Sequence, residues 1–160
     1  MSVTTAIPDQ FKLDLLTIYG LKASGGIVCK IALIKAGATG TYDKTVTNYG
    51  TGSGSPTSSN MGTDEVANGS GYTTGGVTLT NVDSILSTDT AVASFGANPS
   101  WTSASFSTIG CEIYTTNSSL GTAGRPLYIG DFGGTQTVAS GTFTLIVPTQ
   151  DATNGLIRCA

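Results

Sequence analysis

Residues 26–36 read GIVCKIALIKA. Val28, Lys30, Ala32 and Ile34 alternate with Cys29, Ile31, Leu33 and Lys35. Both alternating sets are largely apolar, and the stretch is rich in β-branched residues that suit a pleated backbone. A strand that is apolar on both sides belongs in the middle of a sheet, covered at least partly on each face. The rest of the chain repeats the pattern. TYDKTV (41–46), GVTLTNV (76–82), SILSTDTAVASFG (84–96), SWTSASF (100–106) and TIGCEIYTT (108–116) read as strands, the third as two strands or one bent one. RPLYIGDFGG (125–134), GTFTLIVP (141–148) and NGLIRCA (154–160) complete the set, with Gly, Pro, Asn, Asp and Ser between them. These eight to nine strands predict a mainly β chain. The expected architecture is a single sandwich or jelly-roll-like domain over residues 1–160.

Upstream, the spacing predicts one short amphipathic helix over about 9–19. Phe11, Leu15, Leu16 and Ile18 fall near one face. Pro8 suits the first helical turn, Asp9 suits the positive end of the helix dipole, and Gly20 is a natural stop. Residues 48–71, NYGTGSGSPTSSNMGTDEVANGSG, break the strand pattern. A connection this long is functional or disordered. Its Gly and Ser allow flexibility, but Asp64, Glu65 and Val66 lead back into the fold. The expectation is a loop or arm that orders against a neighbouring molecule, set beside the plainer reading of a floppy surface loop.

Composition narrows the function classes. Charged residues make up 11% of the chain, against ~25% in a typical domain. Ser and Thr supply 44 of the 160 residues and Gly another 22. A neutral, hydroxyl-rich surface has little charge to desolvate when it meets a partner. The net charge is −3 and no Lys/Arg cluster occurs, so nucleic acid is not an expected partner. No apolar run reaches 18 residues, so no membrane span is expected. MSVTTAIPDQ lacks a positive n-region and a continuous apolar h-region, which points to synthesis in a host cytoplasm.

The chemical inventory is short. The chain has no His, which removes every Ser–His or Cys–His pair. Nothing local suggests a Ser–Lys pair. GTGSGSP (50–56) lacks the Lys-Ser/Thr ending of a phosphate loop, and GDFGG (130–134) matches a kinase magnesium motif by letters alone. Asp9, Asp43, Asp83, Asp89 and Asp151 have capping or turn explanations. Glu112 stands out inside an apolar strand. Its expected place is the solvent face, with pairing to Arg125 or Arg158, or across a subunit boundary, as alternatives. Trp101 reads as core. Cys29, Cys111 and Cys159 match no metal spacing and read as buried small hydrophobes, with later disulfide pairing left open. No catalytic residue, cofactor or metal is assigned. A Ca²⁺ cage around Asp64 and Glu65 is held open.

The order of motifs resembles a family of small virion-associated proteins of tailed bacteriophages. The resemblance runs through DQFKLDLLTIYG (9–20), KIALIKA (30–36), DEVANGSGYTTGGVTLTNV (64–82) and GCEIYTTN (110–117). It continues through RPLYIGDFGGTQTVASGTFTLIVP (125–148) and DATNGLIRCA (151–160), and so covers most of the chain. The long Gly/Ser-rich 48–63 insertion departs from it. The resemblance implies a virion protein. A compact β-body with low charge and little catalytic inventory suits, within that class, a capsid decoration (cement) protein on the capsid surface. Its expected partners are the major capsid protein and further copies of itself, a homotrimer first, because capsid sites are rotationally related. Tyr49, Asp64, Glu65 and Tyr72 are the candidate partner contacts. The alternatives are a tail, neck or fibre-associated component or receptor-binding module, a carbohydrate-cleaving β-domain, and a secreted adhesive domain.

Overall fold

The computed structural model describes residues 10, 13, 15–16, 20–116 and 123–160. The chain is mainly β: β1 (Cys29–Lys35), β2 (Val77–Thr78), β3 (Ile85–Ser87), β4 (Thr90–Ala93), β5 (Ser100–Thr115), β6 (Pro126–Thr144) and β7 (Ile157–Cys159). They form two antiparallel sheets, one of order β2-β1-β5-β6 and one of order β3-β4-β7. Two compact units contain them. Val28–Leu79 with Asn98–Ile146 holds the four-stranded sheet. The residues up to Ile27, Thr80–Ala97 and Val147–Ala160 hold the three-stranded one. Most of the helix expected over about 9–19 lies outside the described residues.

β1 occupies the central position its two-sided pattern demanded. It pairs with β2 through Lys30 and Ile31 and with β5 over its whole length. Cys29, Ala32 and Leu33 have no exposed surface.

β5 and β6 correct the strand count. Four short strands were expected over 100–106, 108–116, 125–134 and 141–148. Two long ones form, of 16 and 19 residues. The pairing shifts register at four places, between Trp101 and Ala104, Ala104 and Phe106, Thr108 and Gly110, and Ile113 and Tyr114. Ser103 and Ser140 sit at φ near +50°. Extra residues absorbed in this way bend a strand without ending it. The Gly and Ser positions that read as chain reversals therefore kink one continuous ladder.

The strand expected at 41–46 does not form. Asp43 Oδ1 accepts from the Thr45 N–H at 2.7 Å and from the Thr45 hydroxyl at 2.6 Å. Such a local side-chain bond offers the backbone an alternative to a ladder, and this segment turns.

The 48–71 segment is ordered against its own chain. The Met61 N–H donates to the Tyr49 carbonyl at 2.7 Å, and the Val66 N–H donates to the Leu33 carbonyl at 2.9 Å. Met61 and Val66 are buried. Ala32, Ile34, Tyr49, Met61 and Tyr114 form one apolar cluster, with Ala38, Tyr42 and Ile109 packed against it. The segment covers one face of β1 and β5.

In the other unit Ala91, Val92 and Ala93 of β4 are buried. The final turn is held by Asp151 Oδ1, which accepts from the Thr153 and Asn154 N–H groups at 2.8 and 2.7 Å. Gly155 follows because a Cβ there would lie 2.1 Å from Val92 Cγ1.

Candidate functional site

The site begins at a turn that only glycine can make. Gly76 has φ +66°, and a Cβ there would lie 1.8 Å from the Ile31 carbonyl oxygen. The chain can thus cross β1 closely, which brings both polar groups of Gly75 inward. The Gly75 N–H donates to Glu65 Oε1 at 2.6 Å, and its carbonyl accepts from the Tyr114 hydroxyl at 2.8 Å.

Glu65 reaches this point because its backbone bridges to Ile34 of β1. The Tyr49 hydroxyl donates to Oε2 at 2.5 Å and the Tyr72 hydroxyl to Oε1 at 2.6 Å. The Tyr72 oxygen also accepts the Leu33 N–H at 3.0 Å. Aromatic packing fixes both rings. Tyr49 stacks on Tyr114 with centroids 4.0 Å apart and planes within 5°. Tyr72 lies 6.1 Å from Trp101 and 5.9 Å from Phe106. Burial raises the Glu65 carboxyl above its usual range; the Tyr49, Tyr72 and Gly75 hydrogen bonds and the Lys30 charge offset this only in part. Burial and the nearby Glu65 carboxylate push the Tyr49 and Tyr72 hydroxyls well above the ordinary phenol range.

Asp64, next in sequence, anchors a different stretch. Its Oδ2 accepts from the Gly40 N–H at 2.7 Å, the Thr39 N–H at 2.8 Å and the Tyr42 hydroxyl at 3.1 Å. Lys35 Nζ stands 3.7 Å from Oδ1. Burial alone would raise this carboxyl; the Gly40 and Thr39 amides, the Tyr42 hydroxyl and the Lys35 charge outweigh it and hold it low. Adjacent acids thus carry opposite shifts.

The four residues expected at a partner surface therefore lie inside the chain. Tyr49, Asp64, Glu65 and Tyr72 are each 6% exposed or less. Tyr49, Glu65 and Tyr72 form one network and Asp64 a separate anchor. Both carboxylates already accept from several protein donors, so their oxygens do not make a shared Ca²⁺ cage. The loop at 50–56 is likewise closed by side chains: Asn60 Oδ1 accepts the Thr51 N–H at 3.1 Å and Asn60 Nδ2 donates to the Ser53 carbonyl at 2.8 Å.

Glu112 overturns its expected place on the solvent face. It has no exposed surface, and neither carboxylate oxygen has a hydrogen-bond partner among the described residues. It lies opposite Ala32 on one side and Ile129 on the other. Burial, then the neighbouring Glu65 charge, raises it to about 7. One signal was legible beforehand, namely an acid whose neighbours in both directions are apolar. Trp101 is buried, as expected, and its ring also lies 5.8 Å from Phe143.

Cys29 and Cys111 are buried free thiols; Cys159 is free and partly exposed. Cys29 sits opposite Thr115 and Cys111 opposite Leu33, four residues along the same ladder. At ~3.4 Å per residue this is roughly 14 Å, beyond the ~7 Å limit of a disulfide. Burial pushes both thiols up to about 12.

One open groove of about 460 Å³ is bordered by Tyr42, Asp43, Lys44 and the first residues of β6, including Tyr128 and Asp131. Among the described residues no helix is long and apolar enough to cross a membrane. No known protein family, characterised protein or solved structure matches the chain.

Proposed function

We propose that this chain is a non-enzymatic structural protein of a tailed-bacteriophage virion, a capsid decoration protein that stabilises contacts between major capsid subunits. On this reading its body belongs to the sandwich or jelly-roll class and it acts as a homo-oligomer, a trimer first. The observation that carries the reading is β6. This 19-residue strand is the edge of the four-stranded sheet, and the described residues place no strand on its outer side. Its one charged residue is Asp131. From Gly133 to Gln136 and at Thr137, Ala139 and Ser140 it is exposed. Soluble proteins usually blunt such edges with charge, proline or brevity, because an open edge pairs with another chain. Here bulges bend the edge, but neutral hydroxyls cover it. That suits a strand built to meet a neighbour.

The test is to purify intact particles, locate this chain in them by imaging and count its copies. Hundreds of copies on the capsid shell support decoration. Absence from particles refutes the virion reading. The alternative, a tail, neck or fibre-associated component or receptor-binding module, draws on the groove that holds Tyr42 and Tyr128. It predicts far fewer copies, placed on the tail.

A further inference from the structure

We propose that Glu112 is a proton-operated latch: held neutral it lets the 38–66 cover lie closed on the four-stranded sheet, and on ionising it loosens that cover. The position follows from register. Residues directly opposite in an antiparallel pair share a face, so Glu112 projects on the same side as Ala32, and Gly110 on the same side as Ile34. That side carries the apolar cluster sealed by Tyr49 and Met61. A carboxylic acid can sit there; a bare carboxylate is penalised by the loss of water with no hydrogen bond in return.

Among the described residues, the surroundings offer it no cation of its own. β1 presents Ala32 directly opposite and Lys30 two residues along, and the Lys30 charge acts on Glu65. The cover presents Tyr42, Tyr49, Asp64 and Glu65, of which Asp64 holds Lys35. β5 itself contributes Tyr114 and Cys111, and β6 contributes Ile129 opposite and Asp131 beyond it. The tyrosines around it are neutral, and the Glu65 charge adds to burial in opposing its ionisation. With a folded value of about 7 against an ordinary 4.5, closure favours the proton by roughly 300-fold. The sign is that of a raised acid. The stabilising effect of the bound proton is complete below about 4.5 and is lost as pH rises through about 7. The cover is the part that yields, because its backbone crosses to the sheet through few bonds, such as Val66 N–H to the Leu33 carbonyl.

Native-state hydrogen exchange tests this between pH 5 and 9, with rates corrected for the intrinsic pH dependence of amide exchange. In the wild type, protection at Met61 and Val66 is expected to fall about tenfold per pH unit from about 5 to about 7 and to level off above, while the β1–β5 ladder amides at Ala32 and Tyr114 keep theirs. In Glu112→Gln, which stays neutral, Met61 and Val66 protection is expected to be flat. An identical slope in Glu112→Gln, no slope in the wild type, or parallel loss in the ladder overturns the latch. Should Glu112→Gln not fold, the wild type still decides. Glu65 and Glu112 are its two glutamates, so ¹³C-carboxyl labelling of glutamate gives two signals. The Glu112 signal is expected to titrate near 7; a midpoint in the usual glutamate range overturns the proposal.

Discussion

Replacing Tyr72 by Phe removes one oxygen atom and keeps the ring between Trp101 and Phe106. That oxygen makes two buried bonds, donating to Glu65 Oε1 at 2.6 Å and accepting the Leu33 N–H at 3.0 Å. A hydrogen bond to a charged group contributes about 1.5–3 kcal/mol, and an orphaned buried N–H costs about 1–3 kcal/mol. The expected loss near neutral pH is the sum, about 2.5–6 kcal/mol. A urea titration followed by tryptophan fluorescence reads it, since Trp101 is the lone Trp and packs on this ring. At a slope of ~2 kcal/mol per molar, the midpoint should fall by about 1.2–3 M. The loss should also depend on pH. Glu65 already titrates above its ordinary 4.5 in the folded chain. Removing a donor to its charged form raises it further. The variant therefore loses least in acid, where Glu65 is protonated in both states, and loses more as pH rises through the folded value. A loss under about 1 kcal/mol at pH 7 would mean that the pair adds no more than a typical neutral hydrogen bond and that the network reading is wrong. An equal loss at pH 4 and pH 8 would detach Tyr72 from the Glu65 charge.

Leu33→Ala should cost about 2–5 kcal/mol by leaving a cavity, read by the same titration, because Leu33 is wholly buried. Gly76→Ala should cost more than about 2 kcal/mol, combining a left-handed backbone with a clash on the Ile31 carbonyl; a neutral result would remove the close crossing that aims Gly75 at Glu65. Thr135→Lys with Ala139→Lys should leave the urea midpoint within about 0.5 kcal/mol of wild type while reducing self-association in sedimentation, since both positions are exposed on the β6 edge. Unchanged association would move the interaction surface away from that edge.

Alternation and composition made the β class and the central place of β1 readable, because a strand covered on both faces must be apolar in both registers. The same logic found the strands at 84–96, which form β3 and β4. It failed at the turn of Asp43, where one side-chain bond outweighed a weak alternation. It also split the β5–β6 hairpin, because a bulge and a turn use the same small residues. Gly75 and Gly76 permit an unusual backbone, and Tyr72 beside them, expected at a partner surface, is in the fold a buried anchor. What the anchor holds was not legible, since Glu65, Tyr49 and Tyr114 come from three separate stretches.

By itself the sequence determined that this chain is built of strands, covered in uncharged hydroxyls and empty of histidine, because periodicity and residue type are local properties. The tertiary structure alone decided that Glu65 is surrounded by donors while Glu112 has none. Whether a carboxylate is solvated, paired or stranded depends on atoms brought from distant parts of the chain, and no spacing along the sequence encodes that environment.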